Sequence, residues 1–186
     1  MSDTTRASGR FLLRIDPGLH AALRAAAQAA GLSLNDYCAR KLAAPGGDPA
    51  GPATAVVARA AAIHGAALIG VVAYGSWARG EATPDSDVDA LIVLASDATL
   101  QRRLYLAWDE APLAWAGLRV EPHVVRLPDL DEPPSGLWAE VALDGIVLHD
   151  PGLMVSRHLA RVRRRIAGGE LARRDAHGQP YWVGRA

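Results

Sequence analysis

Residues 75–89 read GSWARGEATPDSDVD, and they lie between two apolar runs, Leu68–Tyr74 before them and Ala90–Leu94 after them. The first run is continuous, as in a buried strand, and it stops at Gly75-Ser76. A glycine at a strand end lets backbone amides approach an anion closely, while the Ser76 hydroxyl and the start of a helix add donors and a positive dipole end. Ten residues separate Ser76 from Asp87, where Asp87-Val88-Asp89 opens the second run. On a strand of period two, Asp87 and Asp89 face the same way, about 7 Å apart. Two like charges so placed repel unless a cation sits between or beside them. Hard oxygen ligands favour Mg²⁺, which also keeps waters and substrate phosphate oxygens. The pair therefore predicts a metal-nucleotide site.

The same stretch looks like the signature of the nucleotidyltransferase superfamily, and Ala78-Arg79-Gly80 and Ser86 bring it closer to the minimal (MNT-type) members. The resemblance implies an α/β fold, the DNA polymerase beta-like mixed sheet with helices. It implies that Gly75 and Ser76 hold the triphosphate, with Arg79 as a further phosphate contact. Asp87 and Asp89 would ligate Mg²⁺, through which a nucleoside monophosphate passes from ATP to a hydroxyl with release of pyrophosphate. The superfamily also expects a third carboxylate on a neighbouring strand, as a metal ligand and an aid to deprotonating the acceptor. The candidate strand is Leu118–Arg126, where Glu121 is the preferred residue and His123, on the same face, the alternative. Pro122 between them removes a ladder donor and marks an edge or irregular strand.

The N-terminal segment is of a different kind. Arg10 to Ile15 alternate, with Phe11, Leu13 and Ile15 on one face and Arg10, Leu12 and Arg14 on the other, as in a half-buried strand. Asp16 and Pro17 then supply an N-cap and a first helical residue, and Leu19, Leu23, Ala26 and Ala30 form a stripe that ends at Gly31. Ser33 opens a second helix, with Asp36 three residues on as a short capping box. One strand and two short helices cannot bury their apolar faces alone, so a homodimer through the strand is expected. The segment resembles the ribbon-helix-helix family of DNA-binding repressors and antitoxins. By that resemblance Arg10, Leu12 and Arg14 would face base edges, and Ser33 and Asn35 at the second helix N-terminus would hold a phosphate. The expected organisation is a ribbon-helix-helix arm over 1–42, a linker over 43–53 that contains AAPGGDPAGPA, and a transferase domain over 54–186.

Composition limits the remaining classes. Half of the 186 residues are apolar and 22% are charged, which fits a globular chain and not a disordered one. Twenty basic side chains balance twenty acidic ones, yet they are segregated: six basic and fifteen acidic over 42–150, eight basic and two acidic over 151–186. Local fields, not the net charge, steer a polyanion, so zero net charge does not argue against nucleic acid. The longest uncharged apolar run, Ala66–Ala78, is shorter than the roughly 20 residues of a membrane span, so no membrane is expected as a partner. Met1–Arg10 is polar and shows no secretory pattern, so a cytoplasmic location is expected. Cys38 is the only cysteine, which excludes an internal disulfide framework and a multi-cysteine zinc site. Beyond residue 136 the sequence predicts a short helix with Trp138, Val141 and Ala142 in the core, a strand at Ile146–Leu148 and a basic helix at Leu153–Ile166. In the tail, Tyr181 and Trp182 are read as docking onto the domain.

The resemblance implies an antitoxin that adenylylates a HEPN-type ribonuclease toxin and binds its own operator DNA through the arm. Two other functions fit the same residues. One is a transferase acting on a small hydroxylated molecule such as an aminoglycoside; the other is a DNA-binding antitoxin whose transferase domain is catalytically silent.

Overall fold

A computed structural model of the chain describes residues 12–29, 31–42, 51–129, 132–176 and 179–184. Helix α1 (Pro17–Ala29) starts where the Asp16 carboxylate accepts the Leu19 amide at 2.9 Å, and Gly31 follows it with φ +66°. Helix α2 (Leu34–Leu42) carries the expected capping box: the Ser33 hydroxyl accepts the Asp36 amide at 3.0 Å and donates to the Asp36 carboxylate at 2.6 Å. Helix α3 (Pro52–His64) begins with Pro52 in its first turn, inside the expected linker 43–53. Most of the linker, 43–50, lies outside the described residues.

The main sheet has five strands, β1 (Leu68–Tyr74), β2 (Val88–Leu94), β3 (Ala114–Trp115), β4 (Leu118–Arg126) and β5 (Ile146–His149), in the order β3-β4-β2-β1-β5. β1 is antiparallel to β2 and β5, β3 is antiparallel to β4, and β2 and β4 run parallel, so the sheet is mixed. A parallel pair needs a long crossover. Helix α5 (Arg102–Asp109) and β3 supply it, and neither was expected from the sequence.

Both faces of the sheet are covered, which is why β1 reads as one apolar run. Val71, Ala73, Ala90, Ile92 and Leu94 point to one side, with Val56 and Ala60 of α3 and Trp108 of α5. Val72, Leu91 and Val93 point to the other side, against α6 (Gly136–Asp144) and α7 (Met154–Ala167) through Trp138, Val141, Leu159 and Val162. Pro122 is accommodated because β3 pairs only with Leu118 and Arg119, which leaves the rest of β4 an open edge on that side. No described helix is long and apolar enough to cross a membrane.

The N-terminal segment departs from expectation in two ways. Residues 12–16 are not in a strand, while Arg10 and Phe11 lie outside the described residues. A strand is defined by the ladder it makes with a neighbour, and the expected neighbour was a second copy of the chain. The helices also find cover within their own chain: Ala26, Ala27 and Tyr37 pack with Leu143, Ile166 and Trp182. Burial of their apolar faces therefore does not by itself require a dimer. A hairpin of β6 (Leu171–Ala176) and β7 (Gln179–Gly184) closes this region, with the Trp182 indole donating to Glu140 at 2.8 Å and Arg173 pairing with Glu140 at 3.1 Å. Trp182 docks as expected, whereas Tyr181 is 47% exposed, and the hairpin was not expected.

His158 of α7 is buried edge-on to Trp138, with ring centroids 4.5 Å apart, and neither ring nitrogen has a hydrogen-bond partner among the described residues. Burial, and then the charge of Arg161, hold its pKa below the ordinary histidine value. The unfolded chain therefore binds a proton at a pH where the folded chain does not. The stabilising contribution is complete above the unfolded value and is lost as pH falls through it toward the folded value. Chemical denaturation of the wild type should show stability declining as pH is lowered from about 7 to about 5, with a smaller decline in His158→Phe. An identical decline in both would refute this assignment. His64, also depressed by burial, contributes equally to both curves.

Candidate active site

The strand register gathers the carboxylates at one end of the sheet. Tyr74, the last residue of β1, pairs with Asp89, and Asp89 pairs with Glu121 across the parallel β2–β4 ladder. Asp87 stands two residues before Asp89, immediately ahead of β2, and His123 follows Glu121 on the same side of β4. Gly75 then turns the chain into the five-residue helix α4 (Gly75–Arg79) with φ +75°. A Cβ at this position would collide with Oδ2 of Asp89 and lie 3.2 Å from its Cγ. Glycine is thus required both for the backbone conformation and for the approach of the turn to the carboxylate. The Ser76 side chain makes no hydrogen bond among the described residues and is available at the start of α4.

The electrostatics of the cluster are those of a site short of positive charge. Burial first, and then the charge of Asp87, push the Asp89 pKa up; Glu121 adds to the rise, while His123 and Arg79 oppose it. The Tyr74 hydroxyl is pushed up to about 12 by burial and by Asp89, so it keeps its proton at neutral pH. It lies 3.0 Å from Nδ1 of His123. With the hydroxyl as donor, Nδ1 is the acceptor. Neither Tyr74 nor this pairing was singled out in the sequence, since a tyrosine ending an apolar strand reads as core.

Glu121 and Arg79 have partners of their own. Glu121 is half exposed and lies 3.4 Å from Arg119, which also reaches Asp109 at 3.4 Å. Arg79 pairs with Glu81 at 2.7 Å and with the nearly buried Asp144, at the end of α6, at 2.9 Å. Its guanidinium therefore pins the C-terminal end of α4 to α6, and its charge contributes least of the named groups at Asp89. Asp144 lies 65 residues from Arg79 in sequence, and no motif connects them.

No three His, Cys, Asp or Glu side chains among the described residues form a ready-made metal cage. Magnesium does not need one, since it is commonly held by one or two carboxylates together with waters and substrate phosphates. The donors are carboxylate oxygens, and the Asp89 pKa is raised by burial and, after it, by repulsion from Asp87, which a cation would relieve. The residues present fit a hard divalent ion at Asp87 and Asp89.

Of the residues expected to contact DNA, those described lie on the N-terminal segment, away from β1, β2 and β4. Arg10 lies outside the described residues, and Leu12 and Arg14 are exposed ahead of α1. Ser33 and Asn35 are at the N-terminal end of α2, where Ser33 is engaged with Asp36.

Residues 61–133, which include Gly75, Ser76, Asp87, Asp89, Glu121 and His123, match the nucleotidyltransferase domain family. The mixed sheet and its helices are those of a nucleotidyltransferase domain over this segment. Residues 2–42 match the HicB family. Among solved structures, the chain is similar to one from a crystal structure of a toxin-antitoxin with AMP-PNP. The two are 17% identical, with 60% of this chain and 88% of that chain covered and a TM-score of 0.39. No curated protein sequence matches the chain.

Proposed function

We propose that this chain is a Mg²⁺-dependent adenylyltransferase that acts as the antitoxin of a HEPN-type ribonuclease toxin, with operator DNA bound by the 1–42 arm as a homodimer. The observation that carries the enzymatic part is the register of Tyr74, Asp89 and Glu121 across three strands, with Gly75 turned against the Asp89 carboxylate. The antitoxin and operator parts rest on the resemblance of residues 75–89 and 10–42 to their families.

Asp87 and Asp89 would hold a divalent cation, which when bound would supply Lewis-acid stabilisation of the charge that builds up during transfer. The chain's own residues do the rest. Gly75 and Ser76 hold the triphosphate against the carboxylates, and Arg79 holds α4, and so that turn, to α6. Glu121, beside Asp89 and open to solvent, accepts the proton of the incoming hydroxyl. A bond forms from the acceptor oxygen to the α-phosphorus, the bond from that phosphorus to the bridging oxygen of the β-phosphate breaks, and pyrophosphate leaves.

The test is transfer of label from α-³²P-ATP with Mg²⁺, with and without the protein encoded by the adjacent gene, for wild type, Asp87→Ala and Asp89→Ala. Label on the neighbour that vanishes in both variants is the expected result. Protection of cells by the variants equal to that of the parent would exclude neutralisation by adenylylation. The silent-domain reading has one observation in its favour, the engagement of Glu121 by Arg119 at an exposed edge. Operator binding without any labelled product would select it, and label on an added aminoglycoside would select the small-molecule reading.

A further inference from the structure

Tyr74 ends β1 and His123 stands in β4, with β2 between them. The contact of the Tyr74 hydroxyl with Nδ1 of His123 at 3.0 Å therefore carries the tyrosyl ring across the strand that bears Asp89. Neither side chain has another hydrogen-bond partner among the described residues, and His123 is exposed, so Nε2 is left open. The charge of His123 acts on Asp89 more strongly than that of Glu121, which places the imidazole within the field of the carboxylates. We propose, on the transferase reading, that Tyr74 is a positioning residue: its hydroxyl caps Nδ1 of His123, and the imidazole then meets a phosphoryl oxygen of the nucleotide as an Nε2–H donor instead of ligating the cation.

A phenol keeps its proton at neutral pH, and a hydroxyl with one partner gives that proton to it. Were the Tyr74 hydroxyl to accept from Nδ1 instead, its own proton would lack an acceptor among the described residues in a partly buried place. An imidazole whose Nδ1 accepts carries its ring proton on Nε2, and a protonated nitrogen cannot ligate a metal. Metal-bound histidines show the opposite arrangement, in which the second ring nitrogen donates to a carboxylate, a backbone carbonyl or water. The guanidinium groups near the site are engaged, Arg79 with Glu81 and Asp144 and Arg119 with Asp109 and Glu121. His123 supplies a donor beside Asp89, where the phosphates lie when they share a cation with the two aspartates.

The test is calorimetric binding of α,β-methylene-ATP, which is not transferred, with Mg²⁺ on the full chain. His123→Asn, whose amide stops short of the Nε2 position, should weaken binding about tenfold or more, the scale of a hydrogen bond to a charged group. His123→Gln, which reaches that position with an N–H, should stay within about threefold of the wild type. Tyr74→Phe should weaken binding about threefold or more beside His123 and have no effect in the His123→Gln background, where no tautomer is left to fix. Co²⁺, which imidazole favours, should bind the nucleotide-free chain as tightly in His123→Asn as in the wild type. Three results would each overturn the proposal: equal losses from Tyr74→Phe in both backgrounds, wild-type nucleotide binding by His123→Asn, or Co²⁺ affinity at least about tenfold lower in that variant. Asp89→Ala tells this proposal from the reading beneath it. If Asp89→Ala abolishes binding and His123→Asn leaves it intact, only the roles of Tyr74 and His123 fall. A wild type that binds the probe no better than Asp89→Ala refutes the transferase site and the proposal with it.

Discussion

Gly75→Ala is expected to lower the kcat/KM of nucleotidyl transfer by about 100-fold or more, the scale associated with displacing reacting groups by an ångström. The side chain is a single methyl group, but two costs coincide. At φ +75° an L-residue pays about 1–2 kcal/mol for the left-handed backbone. The added Cβ also enters the space of the Asp89 carboxylate, which cannot retreat far because β2 is paired on both sides, with β1 and with β4. Either the turn or the carboxylate must move, and transfer needs both in place. Gly80→Ala is the control: it has a similar φ of +76°, and its Cβ would meet nothing within 4 Å. The backbone cost is therefore shared, and only Gly75→Ala disturbs Asp89. Steady-state kinetics with thermal melts on both variants separate the effects. Equal losses of activity would show that helix α4, not the carboxylate, is what Gly75 serves.

This pair of glycines also shows what was legible in the sequence. The end of an apolar strand, a Gly-Ser and two alternating carboxylates are local patterns, so β1 and β2 could be placed from residues 68–94 alone, although β2 begins only after Asp87. β4 was legible for the same reason, and of the edge or irregular strand expected at Pro122 it is the edge that is found, since the register with β2 runs through Pro122 unbroken. The partners of the site were not legible. Asp144 for Arg79 and His123 for Tyr74 are set by strand order and helix packing over 65 and 49 residues, and periodicity carries no information at that range. The β6–β7 hairpin was missed because LARRDA and QPYWVG lack clean alternation, and its burial comes from Trp182 and Leu171 reaching α6 and α7. The N-terminal helices were read correctly, caps included, but their apolar faces were assigned to a second chain. A sequence shows that a face must be covered and does not show by what. Here Leu143 and Ile166 of the same chain cover it.

Tyr37→Ala is expected to destabilise the protein by about 3 kcal/mol or more, the usual cost of truncating a buried aromatic side chain. Tyr37 is 2% exposed, and its hydroxyl donates to the Leu143 carbonyl at 2.5 Å and lies 3.2 Å from that of Ala142. These carbonyls belong to the last turn of α6, where no intrahelical donor remains for them. Arg163 reaches Ala142 as well, at 2.6 Å, so the Leu143 carbonyl loses most when Tyr37 is removed. Burial raises the Tyr37 pKa, so the hydroxyl is a reliable donor throughout the neutral range. Tyr37→Phe keeps the ring and removes only this donor, and should cost about 1–2 kcal/mol. The next residue along α6 is Asp144, which holds Arg79 and, through α4, the turn at Gly75. Undocking α2 should therefore reduce transfer by less than tenfold, well short of the Gly75→Ala effect, because the Arg79–Asp144 pair remains to anchor α4. Hydrogen exchange distinguishes local from global damage: the amides of α1 and α2 should lose protection in Tyr37→Ala while those of β1 and β2 keep theirs. Unchanged protection in α1 and α2 would mean that Ala26 and Ala27, not Tyr37, hold the N-terminal helices to the domain.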